Sequence, residues 1–188
     1  MRVISGRFKG RRLTPPTWEG LRPTSDKLRE TLFNILAPRV EGARIVDGFA
    51  GTGAVGIEAL SRGAAHVTFV DTDRRAAALT AANISACGAA ADFTIETGDV
   101  ATMLRRHAAA FDLIWLDPPY GHDSFEALEA AAGALAPGGL VVLERATRRE
   151  PAVPAALTRI RDVKSGDSTL TFFSRTDSQG TPSGVPSA

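Results

Sequence analysis

The stretch Asp47-Gly-Phe-Ala-Gly-Thr-Gly-Ala-Val-Gly56 decides how this chain is read. It follows a short apolar run, Ile45-Val46, and leads into Ile57-Glu-Ala-Leu60. A strand that ends in a glycine-rich turn and opens a helix is a nucleotide-sized binding element. The helix start offers unpaired backbone N–H groups, and the glycines let a ligand approach the main chain. Gly51-Thr-Gly53-Ala-Val-Gly56 fits the dinucleotide fingerprint, and Asp71 stands 20 residues after Gly51, where a ribose-binding acid is expected.

Asp47 argues for a different ligand. In a dinucleotide site the first glycine comes directly off the strand, so that a pyrophosphate rests on the helix N-terminus. Here Asp47-Gly-Phe-Ala intervenes and places a carboxylate at the strand's C-terminal end. An anion beside a doubly negative pyrophosphate is unfavourable, whereas one beside a cation is not. S-adenosylmethionine (SAM) has an ammonium, a sulfonium and no phosphate, so Asp47 points to SAM. The plain alternative is a strand–turn–helix with an Asp cap.

A chain of 188 residues, 44% hydrophobic and 23% charged, is one ordinary globular domain with room for a small appendage. No apolar run approaches the ~18 residues of a membrane span, and the N-terminus lacks the apolar core of a signal peptide. One cysteine, Cys87, excludes an internal disulfide framework and a Cys-based zinc site. The histidines His66, His107 and His122 have no metal-like spacing. The expectation is a cytoplasmic monomer with no metal and no membrane partner. Net charge is +1, but residues 2–22 hold six basic residues (Arg2, Arg7, Lys9, Arg11, Arg12 and Arg22) against one acid, Glu19. A basic arm on a nearly neutral body suggests a polyanionic partner, unless it serves only solubility.

Residues 1–13 read as a small hairpin too poor in apolar groups to stand alone. Trp18 reads as an anchor for this appendage rather than a base-stacking group. Arg22 to Leu36 reads as a helix capped by Thr24 and complemented at its start by Asp26. Leu28, Leu32, Ile35 and Leu36 form its apolar face, and Pro38 is expected to stop it. Val67–Val70, Phe93–Ile95, Leu113–Leu116 and Leu140–Leu143 follow as strands. Helices are expected from Asp73 to Cys87, closed by Gly88, and from Ser124 to Leu135, ended by Pro137-Gly-Gly. Thr158–Lys164 and Thr169–Ser174 read as a hairpin around Ser165-Gly-Asp167, and Asp177 to Ala188 as a disordered tail. Five strands alternating with helices give an α/β parallel sheet wound on both faces, and the terminal antiparallel hairpin makes seven strands.

Asp47, Asp71, Asp99 and Asp117 then fall at strand ends, on the sheet edge where ligands bind. Asp71 is placed to accept from both ribose hydroxyls, Asp99 from an adenine amine, and Asp47 to lie near the methionine moiety. Each of them could instead be a turn-former or a cap. Asp117-Pro-Pro-Tyr120 is the most specific signal. Two prolines stiffen the turn and remove two N–H donors, leaving carbonyls to project. A carboxylate and a fixed carbonyl can accept from an exocyclic base amine and orient its lone pair, while Tyr120 stacks on the base. A base-C5 methylase would need a nucleophilic cysteine in a strand-end loop, and Cys87, at a helix end, reads as structural.

Arg2-Val-Ile-Ser-Gly-Arg-Phe-Lys-Gly-Arg-Arg-Leu13, Leu21-Arg-Pro-Thr24, Arg29-Glu-Thr-Leu-Phe-Asn34, Asp47-Gly-Phe-Ala-Gly-Thr-Gly53, Glu58-Ala-Leu-Ser-Arg-Gly63 and Asp117-Pro-Pro-Tyr120 occur together. As a set they resemble the RsmD-type methyltransferases of bacterial small-subunit (16S) ribosomal RNA, over residues 2–174. The glycine loop and Asp-Pro-Pro-Tyr are shared by many amino-group methyltransferases, whereas the basic hairpin and Arg-Pro-Thr segment are more particular to this family. The resemblance implies a class I SAM-dependent methyltransferase, Rossmann-like, that methylates guanine N2 in assembled or assembling small subunits. On that implication Asp117, Pro118, Pro119 and Tyr120 hold the guanine. The cofactor site draws on Thr24, Asp47, Gly48, Ala50, Gly51, Thr52, Gly53, Asp71, Thr72, Asp99 and Val100. Arg2, Arg7, Lys9, Arg11, Arg12 and Arg22 meet RNA. The expected division is a hairpin extension (1–20), a methyltransferase domain (21–175) and a tail (176–188). The competing readings are a DNA adenine-N6 methyltransferase, an NAD oxidoreductase and a non-catalytic RNA-binding assembly factor.

Overall fold

The computed structural model describes residues 1–18, 24–89, 92–119 and 121–176. Seven strands form a mixed sheet in the order β3-β2-β1-β4-β5-β7-β6, and the chain divides into two compact units, Met1–Asp99 and Val100–Ala188. No helix among the described residues is long and apolar enough to cross a membrane.

In the first unit, β1 (Arg44–Gly48) pairs in parallel with β2 (His66–Asp71), and β2 with β3 (Phe93–Thr97). Ile45, Val46, Val67, Phe69 and Val70 are all buried, so β1 and β2 are apolar on both faces, as strands covered by helices on each side must be. β3 is half-exposed, as an edge strand is. The helices are α1 (Asp26–Val40), α2 (Ala54–Ser61) and α3 (Arg74–Cys87). α3 is bounded as its sequence implies. Asp73 caps its start by accepting from the Arg75 N–H, and Gly88 turns left-handed at its end.

Two expectations about α1 are corrected. Its cap is Ser25, whose hydroxyl accepts from the Leu28 N–H at 3.1 Å, and not Thr24. Pro38 does not stop the helix but lies inside it. A proline so near the end removes one main-chain bond only, and Val40, 1% exposed, anchors the final turn in the core. Phe33 and Arg29 join Leu28, Leu32 and Leu36 on the buried face, while Ile35 is only half-buried.

In the second unit, β4 (Phe111–Leu116) runs parallel to β5 (Leu135–Ala146). β5 pairs antiparallel with β7 (Ser168–Arg175), and β7 with β6 (Leu157–Ser165). Ser165 faces Ser168 across the two-residue turn Gly166-Asp167, so the hairpin stands where its turn residues put it. A short helix, α4 (Val100–Arg105), was not foreseen from the sequence. α5 (Phe125–Ala134) gives way directly to β5. Pro137-Gly-Gly therefore belongs to the strand, where it bulges as the register jumps between Phe111 and Leu113. The expected tail after residue 176, like Arg22 and Tyr120, lies outside the described residues.

Candidate functional site

In the first unit the loop after β1 is held by two carboxylates, a hydroxyl and an amide rather than by its glycines alone. Asp47, the penultimate residue of β1, is 2% exposed, and its Oδ2 accepts from the Gly56 N–H at 2.7 Å. It thus occupies an N–H of the first turn of α2, where a pyrophosphate would otherwise bind. Burial, only partly offset by that hydrogen bond, pushes the Asp47 carboxyl from 3.8 up to about 7, and the neighbouring Asp71 charge adds to the rise. Gly56 is required by packing: a Cβ there would lie 2.2 Å from the Phe69 ring of β2.

Asp71 ends β2 half-exposed. Its Oδ2 accepts from the Gly51 N–H at 2.9 Å and its Oδ1 from the Asp73 N–H at 2.9 Å. Each carboxylate oxygen has two acceptor positions, so the pair retains capacity for a vicinal diol. Ala50 and Gly53 stitch the turn through Ala50 N–H to the Val70 carbonyl (3.0 Å) and Gly53 N–H to the Ala50 carbonyl (2.7 Å). Asp71 therefore fastens the loop at Gly51, and Asp47 fastens it at Gly56. Gly48 and Thr52 are buried, Ala50 is half-buried, and Thr24 stands half-buried one residue before the α1 cap. Thr72 and Asp99 are exposed, and Val100 is buried as the first residue of α4.

Several residues here were missed by sequence reasoning. Phe49, at φ 63, is a non-glycine residue in the left-handed region, strained for an L side chain and placed mid-loop. From α3, the Thr80 hydroxyl donates to the Gly51 carbonyl (3.1 Å) and Asn83 Nδ2 to the Thr52 carbonyl (3.0 Å). The available signal was the inward stripe Ala76, Thr80, Asn83, Ile84 and Cys87, in which two polar residues occupy buried positions.

The basic segment is built onto these helices. Arg2 bridges Arg12 in an isolated antiparallel pair, and Arg2, Arg7, Lys9, Arg11 and Arg12 are all exposed. Beneath them Glu58 of α2, fully buried, accepts from the Ile4 N–H (2.7 Å) and the Ser5 N–H (3.0 Å). Arg62 Nε donates to Glu58 at 2.7 Å, and the fully buried Arg29 lies 3.9 Å from it. Arg29 Nη2 also donates to the Arg2 carbonyl at 2.6 Å. Ser61 accepts from the Phe8 N–H (2.9 Å) and donates to the Ser5 carbonyl. Further along, the Arg75 guanidinium lies 5.0 Å from the Trp18 ring, packing it against the start of α3.

In the second unit Asp117 and Pro118 follow β4 half-buried, and Pro119 is exposed. The Pro119 carbonyl accepts from the His122 N–H at 2.9 Å, which closes the turn. Among the described residues no three His, Cys, Asp or Glu side chains are grouped to hold a metal ion.

Residues 1–174 match the family described as Conserved hypothetical protein 95. The chain is 34% identical to the ribosomal RNA small subunit methyltransferase D of Escherichia coli K12, covering 96% of this chain and 92% of that one. The chain belongs to the RsmD-type methyltransferase family. The enzyme of the same name from Haemophilus influenzae is 33% identical over 88% of this chain and 89% of its own. The solved structure of Escherichia coli yhhF, assigned as a methyltransferase, superimposes with a TM-score of 0.82 at 33% identity, covering 93% of this chain and 97% of that one. The class I methyltransferase fold expected from the sequence is thus the fold observed. Within this family pattern, Glu58-Ala-Leu-Ser-Arg62 acquires a physical meaning: its polar members are what fasten the basic segment.

Proposed function

We propose that this methyltransferase moves a methyl group from SAM to the exocyclic N2 amine of a guanine in small-subunit ribosomal RNA, acting as a cytoplasmic monomer. The observation that carries the cofactor is the buried Asp47. Burial makes its ionised form costly, a cost that a neighbouring cation removes, and it fills the helix start that a phosphate ligand needs. Asp71 fits the ribose, with Thr72, Asp99 and Val100 around the adenine and Gly48, Ala50, Gly51, Thr52 and Gly53 along the ligand. Thr24 stands at the entrance. SAM supplies an electrophilic methyl on a sulfonium.

Asp117 accepts a hydrogen bond from the amine and turns its lone pair toward attack. It steadies the positive charge that grows on nitrogen as the methyl leaves sulfur, and receives the proton that the methylated nitrogen then sheds. Pro118 and Pro119 keep that turn stiff, and Tyr120 stacks on the base. The exposed cations of residues 1–20 meet phosphates, on a methyltransferase domain spanning 21–175. Ribosomal RNA as substrate is supported by the names of the relatives, and guanine N2 by the family resemblance. The test is to incubate the protein with labelled SAM and undermethylated small subunits and to map the modified base. Label in N2-methylguanine is expected. Label in DNA adenine instead, or none in either, refutes the reading.

A further inference from the structure

The side chain of Asn83 touches two segments 38 residues apart in sequence. Its Nδ2 donates both to the Thr14 carbonyl (3.1 Å) and to the Thr52 carbonyl of the glycine loop (3.0 Å), while its Oδ1 accepts from the Thr14 N–H (2.8 Å). Thr14 closes the basic segment, next to Leu13, which is 3% exposed. Asn83 is 1% exposed, so both amide hydrogens and one acceptor position are spent with no water to replace them. Glu58 and Ser61 also hold the segment, but they hold it to later turns of α2. Asn83 differs in bonding the segment and the loop at once.

We propose that Asn83 is a positioning residue that couples RNA engagement to cofactor binding. The inference rests on the reading above, in which the segment meets RNA and the loop holds SAM. A buried amide with every polar group paired has one favourable arrangement. A shift of Thr14 breaks two bonds and frees the third to follow, which leaves the Thr52 carbonyl without its donor and the Gly51-Thr52-Gly53 turn held at Gly51 and Gly53 only. RNA that fixes the basic segment therefore fixes the loop, and by thermodynamic reciprocity the cofactor strengthens RNA binding by the same factor.

The test measures that factor. Labelled S-adenosylhomocysteine is titrated by equilibrium dialysis into the full-length protein, alone and saturated with undermethylated small subunits, for the wild type and for Asn83→Ala. The wild type is expected to bind the cofactor product about fivefold more tightly with the subunit present, a value at the low end for coupled sites. In Asn83→Ala the ratio falls toward one. A merely structural role would weaken both affinities and leave the ratio standing, which overturns the proposal. So does a wild-type ratio of one when each ligand binds alone. A wild type that binds neither ligand instead sinks the functional reading, and this inference with it. Should Asn83→Ala fail to fold, amide hydrogen exchange in the wild type decides. The Thr14 N–H, isolated because Pro15 and Pro16 carry none, is expected to exchange several-fold more slowly with S-adenosylhomocysteine bound, and an unchanged rate overturns the coupling.

Discussion

Replacing Asp47 by Asn separates the charge of that residue from its hydrogen bond. The Asn carbonyl still accepts from the Gly56 N–H, but it cannot ionise. A carboxyl raised from 3.8 to about 7 on folding binds its proton more tightly in the native state. The stability it lends is therefore fully present below about pH 4 and is lost as the pH rises through 7. Between pH 5 and 8 the unliganded wild type should lose about 3 kcal/mol that Asp47→Asn keeps. At this chain length that is roughly 6–12 °C of midpoint. The unpaired Asn N–H groups cost a further ~1–3 kcal/mol, but that term does not depend on pH, so the slope and not the offset carries the information. The assay is thermal or urea unfolding at pH 5, 6, 7 and 8 without ligand. Parallel curves for the two proteins would refute the argument that a buried carboxyl waits here for a cation. Cofactor binding supplies the complementary reading. SAM affinity of the wild type should weaken as the pH falls below 7, by up to ~10-fold per unit, while that of Asp47→Asn stays flat and weaker above pH 7.

Asp117→Ala should retain S-adenosylhomocysteine affinity within about twofold yet lose methyl transfer by ~100-fold or more, and near-full turnover would remove Asp117 from catalysis. Exchanging Arg11 and Arg12 for Ala, both exposed, should lower small-subunit affinity and reduce its salt slope by about 1–2 in binding assays across potassium chloride concentrations, without shifting the unfolding midpoint by more than a degree or two. Glu58→Gln removes the buried carboxylate beside Arg29, leaving that guanidinium the partly exposed Asp26 alone, and leaves one of the Ile4 or Ser5 N–H groups without an acceptor. It should cost roughly 3–5 kcal/mol in urea unfolding and make residues 1–13 the first site of limited proteolysis, and a wild-type proteolysis pattern would show that the segment is held elsewhere.

What the sequence determined by itself is the part of the fold governed by local chemistry and periodicity. Ile45-Val46 and Leu140–Leu143 are apolar on consecutive residues, and Val67–Val70 at all but Thr68, which strands covered on both faces sustain. Gly88 and Gly166-Asp167 end or turn the chain through conformations that favour glycine, and both stand where they were read. The Asp47–Gly56 pattern and Asp71 were legible for the same reason, since the spacing of a strand, turn and helix fixes which residues meet.

The tertiary structure decided what depends on partners far along the chain. Pro38 remains helical because Val40 is gripped by the core, and the bulge at Pro137-Gly-Gly exists because β5 must match β4. Arg29, Glu58, Ser61 and Asn83 looked like ordinary polar residues on amphipathic helices. Each bonds main-chain groups of residues 2–14 that arrive beside it, and no property of a helix considered alone announces that arrival.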